Sequence, residues 1–496
     1  MRAADQLGPL TACLTAITLT ITAMCAPVLG AGRETAVPDT QFQPIRAPRA
    51  ISIREAVDIA LRNYPDIAKK QYQLHAAQAN VRLAKTQYLP NLNIDIQESA
   101  VTPNRIASVV MNNVSGFDTV PVDGGPSVNH LSLKPEANNL QGLNFNWMLV
   151  DYGLRKSNDR FAYADARVAR AGVVLTKLDV AFDAADRYLD AVAAKQVIRA
   201  ATASLEHMEA AQLRARTLVS EGLRPGVEAA EWEYEVSRAK IGLIKSEKET
   251  QLALVDMAEK LGLAASDFDI ISDTLTRSPS TVHVFQPPFD LRSHPLAQEK
   301  DAEVLRWRAK QVVLDKAYRP HLWLNSSAWG RGSGSNTNQI NMVAGGILPQ
   351  VFNYMVGVTY SFPFLEYFPL KAQKDMARSN ELAARADYEL AMQILEKKDA
   401  RARILLAQTR KIAEETPKLV EAARMREIKV LKRYSTGLAN FVELADAEKA
   451  LTAAEVENAV AQVDVWRSIL QLAYVGGDMR PFLQVVDIVE GSSRTQ

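Results

Sequence analysis

Cysteine is almost missing from this chain of 496 residues, which has only Cys13 and Cys25. Both lie in a mostly uncharged stretch from Leu7 to Leu29, which small residues follow. Such a stretch is typical of a secretory signal peptide, and we place it at residues 1–31. A chain cut there has no cysteine, which excludes disulfides and thiol catalysis. The alternative for Cys25 is to be a lipidated first residue.

The sequence also lacks an excess of charge, because 58 lysines and arginines balance 57 acidic residues to a net charge of +1. A general nucleic-acid binder needs a basic surface, so we expect no nucleic-acid partner. Aromatic residues make up only 7% of the chain, whereas strong helix formers are abundant. Beyond residue 30 there is no run of 18 uncharged apolar residues, which excludes a membrane-spanning helix there.

Residue patterns for catalysis or metal binding are missing as well. The six histidines form no HxxxH or HxxEH arrangement. No acid, base and nucleophile stand together at a spacing that suits catalysis. We therefore expect a protein that is not an enzyme and that carries no cofactor and no metal.

What the sequence does contain is an internal repeat. Pro65 and Pro295 lie 230 positions apart, and Gly222 and Gly437 lie 215 apart. The offset changes within a stretch rich in proline, glycine and asparagine, where exposed loops tolerate length differences. The predicted organisation is an N-terminal extended segment at 32–50, a first repeat at 51–263, an equatorial connector at 264–289, a second repeat at 290–477 and a C-terminal tail at 478–496.

Each repeat contains one very long helix between shorter ones. Leu154–Val219 and Pro369–Tyr434 are each 66 residues long, about 100 Å as a helix. The shorter helices before and after each long one have nearly the same summed length, so we expect them to lie end to end beside it. Apolar residues seven apart predict coiled-coil seams. These residues are Val168, Leu175, Phe182 and Leu189 in the first long helix and Leu405, Ile412 and Leu419 in the second.

Each repeat also contains two strands with alternating apolar and polar residues. The clearest are Asn91–Gln97, Leu143–Leu149 and Val358–Phe364, whereas Leu322–Asn325 is less regular. In an outer-membrane barrel the apolar face points to lipid and the polar face to the lumen. A sheet in lipid has no open edge, and known barrels start at about eight strands, so four strands require more than one chain. Three chains would give twelve.

The tryptophans of these strands fit that interpretation. Trp147, Trp323 and Trp329 are predicted to form an aromatic belt at the membrane interface. The alternative is ordinary packing within the sheet.

Several phrases resemble the TolC-like outer-membrane efflux proteins. They are Ile53–Val57 with Asn63–Ile67, Tyr88–Leu92, and Tyr434–Gly437 with Val442–Ala447. The resemblance implies an α+β membrane protein, a trimeric 12-stranded outer-membrane β-barrel with four strands per chain. A long periplasmic α-helical coiled-coil barrel would continue it. The implied role is an exit duct that works with a periplasmic adaptor and an inner-membrane transporter, in contact with outer-membrane lipid. The alternative is a periplasmic adaptor.

The same resemblance suggests a gate at the periplasmic end. Glu443 and Asp446 are three residues apart at the start of a helix, so they share a face. They align with acidic residues that ring the closed entrance in the family, and Tyr434 matches a family tyrosine there. Glu228 is the first-repeat counterpart of Glu443. The alternative is local, because Asn440 and Glu443 have the spacing of a helix-capping box.

Two turns lie at the helix ends opposite the strands. They carry Gly222 and Leu223 in the first repeat and Gly437 and Leu438 in the second. We predict that these turns form the periplasmic tip and contact the adaptor. The alternative is a plain helical-hairpin turn, with Gly437 ending one helix.

Overall fold

The structure, a computed structural model, describes residues 50–102, 136–222, 225–263, 268–279, 290–333 and 348–493. The predicted signal peptide with Cys25, and the tip residue Leu223, lie outside these residues. No helix in the described ranges combines the length and apolar character needed to cross a membrane.

The first repeat begins with a short strand and a capped helix. Ser52 accepts a hydrogen bond from the N–H of Glu55, and the Glu55 carboxylate accepts one from the N–H of Ser52, which completes a capping box. The elements are β1 (Ala50–Ile51), α1 (Ile53–Asn63), α2 (Pro65–Thr86), β2 (Asn91–Val101), β3 (Glu136–Val150), α3 (Leu154–Ser220) and α4 (Val227–Leu261).

The second repeat has the same order, after a two-residue strand and two 3₁₀ turns in the connecting region. Its elements are β4 (Asp269–Ile270), α5 (Pro295–Ala317), β5 (His321–Ser333), β6 (Val351–Ser361), α6 (Tyr367–Ser435) and α7 (Phe441–Val475). A further helix, α8 (Arg480–Ser493), follows.

Proline sets the helix starts in both repeats. Helices α1 and α2 are separated at Tyr64, which has an extended backbone (φ −68°, ψ 122°). The reason is Pro65, whose ring disfavours the helical conformation at the preceding residue. His294 adopts the same extended conformation before Pro295 (φ −64°, ψ 136°).

The helices of each repeat pack along its long helix. The α3 helix has 67 residues and α6 has 69, so each is about 100 Å long. Helices α1, α2 and α4 pack against α3, and α5 and α7 pack against α6, as the lengths predict. Contacts of α3 with α5 and α7 join the two repeats side by side.

The largest core lies near the middle of α3. There β1 pairs with β4 in parallel, and the buried Tyr188 hydroxyl lies 3.0 Å from the carbonyl oxygen of Ile51 and 2.6 Å from that of Ile271. Trp466 and Phe482 are fully buried in the same cluster. The connecting region and α8 therefore pack against the middle of the helical part and stabilise it.

Helix α6 does not use its predicted seam residues for the contacts within its own chain. Its buried residues toward α5 and α7 are mainly small ones, with Ala377, Ala384 and Ala391 seven apart. Ile412 and Leu419 instead are 51% and 45% exposed. Because alanine lets helices approach closely, it fills the contacts within the chain, and the larger apolar row is left on the outside.

Of the strands in the described ranges, β2, β3, β5 and β6 form one antiparallel sheet in the order β2-β3-β5-β6. Directly paired residues share a face, and the register places polar side chains together on one side, where Ser327 donates to Asn144 (2.6 Å) and Asn325 to Thr359 (2.7 Å). The opposite side is apolar. It carries Leu92, Ile94, Leu143, Phe145, Trp147, Leu322, Leu324, Tyr354, Val356, Val358 and Tyr360.

The register also separates the three strand tryptophans. Trp147 pairs with Leu324 on the apolar face. Trp323 pairs with Met148 and Thr359, and Trp329 with Gly142 and Asn353, so both lie on the polar face. A belt of all three tryptophans on one lipid-facing surface is therefore wrong. Trp323 and Trp329 lie at odd-numbered positions of β5, whereas Leu322 and Leu324, on the apolar face, lie at even-numbered ones.

Candidate functional site

The two hairpin turns at the end opposite the sheet have matching glycines. Gly222 follows α3 with φ +72°, and Gly437 follows α6 with φ +76°. A side chain at either residue would meet no atom within 4 Å, so it is the left-handed backbone that favours glycine there. Leu438, beside the second glycine, is 71% exposed. The two glycines thus allow the left-handed backbone of the turns, and Leu438 is exposed at the second turn.

A small apolar cluster lies directly behind the turns and joins both hairpins. Met208 of α3, Trp232 of α4, Tyr434 of α6 and Leu444 of α7 are all buried in it. Phe441 packs edge-on against Trp232, with ring centroids 4.9 Å apart. Because every helix of the tip contributes, the hairpins are packed as one unit.

One buried hydrogen bond crosses this cluster. The Tyr434 hydroxyl at the end of α6 donates to the Glu228 carboxylate at the start of α4, over 2.8 Å. Tyr434 is 2% exposed and Glu228 is 8% exposed. A hydrogen bond to a charged group is stronger than a neutral one, and burial keeps water from replacing it. The structure thus brings together two of the predicted gate residues, one from each repeat.

Glu443 faces a cation within its own turn. Asn440 caps α7 by accepting from the N–H of Glu443 (2.8 Å), as the capping alternative predicts. The Glu443 carboxylate does not complete a capping box, because it lies 3.3 Å from the Arg433 guanidinium. Arg433 also donates to the carbonyl oxygen of Leu438 (2.9 Å). Arg433 therefore offsets the charge of Glu443, and its hydrogen bond to Leu438 stabilises the turn.

Asp446 differs from Glu443. It is exposed, and no cation in the described part of the chain forms an ion pair with it. Both carboxylates belong to the first turns of α7, where the helix dipole favours negative charge. The structure thus gives the two predicted gate acids different electrostatic surroundings.

Buried acids just behind the tip were not predicted. Glu448 on α7 and Glu427 on α6 are both buried, and the Glu448 carboxylate lies 3.3 Å from Nδ1 of His207 on α3. Burial and the charge of Glu427 raise the pKa of Glu448, and His207 opposes that shift. These residues are far apart in sequence, so spacing alone could not reveal them.

A groove runs between α3 and α6 close to the turns, with a volume of about 580 Å³. Its walls include Leu218, Ile428 and Leu431, and Arg214 and Lys432 also line it. An apolar groove with two cations suits an amphipathic helix that carries acidic residues.

Comparison with known proteins shows which proteins share this architecture. Residues 56–263 match the family model described as outer membrane efflux protein. The CmeC outer membrane channel of Campylobacter jejuni has the same fold, with a TM-score of 0.68 at 14% identity, over 86% of this chain and 85% of that one. The resemblance to TolC-like outer membrane efflux proteins is confirmed.

Two further solved structures share this efflux-protein fold. The outer membrane protein VceC of Vibrio cholerae aligns over 86% of this chain and 96% of its own, with 14% identity and a TM-score of 0.66. The MtrE outer membrane channel of Neisseria gonorrhoeae, solved in an open state, aligns over 87% and 89%, with 17% identity and a TM-score of 0.64. No curated protein matches the sequence significantly. At these identities the structures establish the fold.

Proposed function

We propose that this chain forms the outer-membrane exit duct of a tripartite efflux or type I secretion system. It would take substrates from a periplasmic adaptor and an inner-membrane transporter and release them outside the cell. One observation carries this proposal. A four-stranded sheet with an exposed apolar face is continued by helices of about 100 Å, a length suited to a tunnel.

The sheet favours a trimer. Strands β2 and β6 are its two edges, and lipid does not tolerate unpaired edges. If β6 of one chain pairs with β2 of the next, three chains close a barrel of twelve strands. The exposed apolar row on α6, with Ile412 and Leu419, offers a matching contact between helices of neighbouring chains.

The two parts of the chain suit two compartments of the cell envelope. Val358 and Tyr360 on β6 are largely exposed on the apolar face, where lipid would cover them. The helices carry mixed charges along their length and would lie in the periplasm. The barrel would therefore sit in the outer membrane, with the tip turns pointing toward the inner membrane.

Threefold symmetry would bring the acids of the tip together as a gate. Each chain contributes Glu443 and Asp446, and Arg433 offsets the first. The ring would then act mainly through three Asp446 carboxylates, which attract cations in a narrow passage. The hydrogen bond from Tyr434 to Glu228 would hold the hairpins in the closed arrangement.

The adaptor would contact the exposed turns. Leu438 projects there beside Gly437, Gly222 lies at the other turn, and the groove between α3 and α6 lies next to them. The contact predicted for Leu223 concerns a residue outside the described ones. Leu438→Asp is expected to abolish co-purification of the adaptor while leaving membrane insertion intact. Normal export by that variant would place the adaptor contact elsewhere.

A periplasmic adaptor is the second candidate function. Adaptors also use helical hairpins, but this chain has two complete repeats and a sheet with an exposed apolar face. A salt wash of cell membranes distinguishes them. The duct is expected to stay in the membrane fraction and to conduct ions in planar bilayers after detergent extraction. Release by salt, without conductance, would favour the adaptor.

A further inference from the structure

The polar face of the sheet contains an unusual row of residues. Pairing across the four strands places Asp95, Gly142, Trp329 and Asn353 side by side. Adjacent strands are about 4.8 Å apart, so the backbones of Asp95 and Trp329 are about 10 Å apart, with Gly142 between them in this row and the Asn144 side chain next to it. A carboxylate and an indole thus flank a gap on the face that would line the barrel.

The glycine keeps that gap open. A Cβ at Gly142 would lie 3.6 Å from Cβ of Trp329 and 3.8 Å from the Asn144 amide nitrogen. A longer side chain at Gly142 would crowd Trp329 and Asn144. The absence of a side chain at this residue therefore leaves room for a ligand group against the tryptophan.

The carboxylate is held by its neighbours. The Asn144 amide donates to Asp95, and the oxygen of that amide accepts from Ser327 over 2.6 Å. Ser327 and Trp329 belong to the same face of β5. The chain of hydrogen bonds runs from Ser327 on β5 across Asn144 on β3 to Asp95 on β2, so it holds the Asp95 carboxylate against the sheet.

We propose that Asp95 and Trp329 form a wall site for organic cations, which sets a substrate preference of the channel. The proposal rests on the function proposed above, because it requires the polar face to line a conducting lumen. An organic cation would gain from the carboxylate charge and from contact with the indole face. A small inorganic cation would gain little from the ring, and a neutral aromatic compound would gain nothing from the charge.

The neighbouring charges determine where the positive centre of a bound ligand would lie. Arg331 is the one arginine or lysine in the described strands, and it lies two residues beyond Trp329 on the same face. Its charge opposes a cation placed toward the outer part of β5. The positive centre is therefore expected near Asp95, with the apolar groups of the ligand over Trp329.

Block of single channels in planar bilayers tests this site. Tetraphenylphosphonium is added on the barrel side, and its half-blocking concentration is measured for the wild type, Trp329→Leu, Asp95→Asn and a control, Trp147→Leu. The control removes a tryptophan from the apolar face. Loss of the ring or of the charge is expected to raise the half-blocking concentration about threefold to tenfold. The control should leave it unchanged.

The outcomes separate this site from the proposed function. A wild-type channel that conducts potassium without being blocked overturns the site and leaves the channel function standing. An unchanged half-blocking concentration in Trp329→Leu, or an equal rise in Trp147→Leu, overturns the site as well. A wild-type protein without any conductance overturns both.

Discussion

Replacing Tyr434 by phenylalanine tests the hydrogen bond that joins the two repeats at the tip. The ring is 2% exposed within the apolar cluster, so phenylalanine keeps its packing and loses only the hydroxyl. The lost interaction is the 2.8 Å hydrogen bond to Glu228. The variant therefore removes the hydroxyl contact between the end of α6 and the start of α4.

The expected magnitude follows from charge and burial. A hydrogen bond to a charged group contributes about 1.5–3 kcal/mol, and water cannot easily replace this one. If the bond exists only when the tip is closed, its loss shifts the equilibrium between closed and open tips roughly 10- to 150-fold per chain. Three chains would add to the effect.

Single-channel recording in planar bilayers is the assay, with melting temperature measured in parallel. Tyr434→Phe is expected to open more often and to conduct more than the wild type. Tyr188→Phe is the matched control, because its buried hydroxyl contacts the carbonyl oxygens of Ile51 and Ile271 far from the tip. The control should lower the melting temperature without changing conductance.

The reasoning would be refuted by an unchanged conductance in Tyr434→Phe together with a lower melting temperature. Such a result would make the hydrogen bond a contribution to stability alone. Equal increases of conductance in Tyr434→Phe and Tyr188→Phe would also refute it, because general loosening would then open the channel.

Three further outcomes are expected. Asp446→Asn should reduce cation selectivity more than Glu443→Gln, because Arg433 already offsets Glu443; equal effects in bilayer recordings would contradict this. Glu448→Gln should raise the melting temperature more at pH 7.5 than at pH 4.5. Burial raises the pKa of Glu448, so the stability from its bound proton is lost as the pH rises through that pKa. Glutamine mimics the protonated form at every pH. An equal rise of the melting temperature at both pH values would contradict this prediction. Burial lowers the pKa of His294 below 6.5, so the wild type loses stability as the pH falls below that value. The His294→Asn variant keeps a helix cap, and its melting temperature should depend less on pH. An unchanged pH dependence would contradict this.

The parts of the fold set by local chemistry could be predicted from the sequence. Gly222 and Gly437 end helices at the two turns, and alternating apolar and polar residues identify strands. The spacing of Asn440 to Glu443 predicts a helix cap, and the structure confirms that contact. Each of these features depends on a few neighbouring residues, which is why the order of elements was readable.

Features that depend on helix rotation or on strand register could not be predicted. The seven-residue spacing of Leu405, Ile412 and Leu419 was real, but which stripe of α6 faces its own chain depends on the partner helices. The pairing of Arg433 with Glu443 depended on the geometry of the turn. The contact of His207 with the buried Glu448 joins α3 to α7, and the two residues are 241 positions apart.

The number of chains in the detergent-extracted protein tests the central claim most directly. Native mass spectrometry of protein released from outer membranes in mild detergent is expected to show a complex of three chains. That number closes the open edges β2 and β6 into one barrel of twelve strands. A stable single chain that still conducts ions would contradict the account.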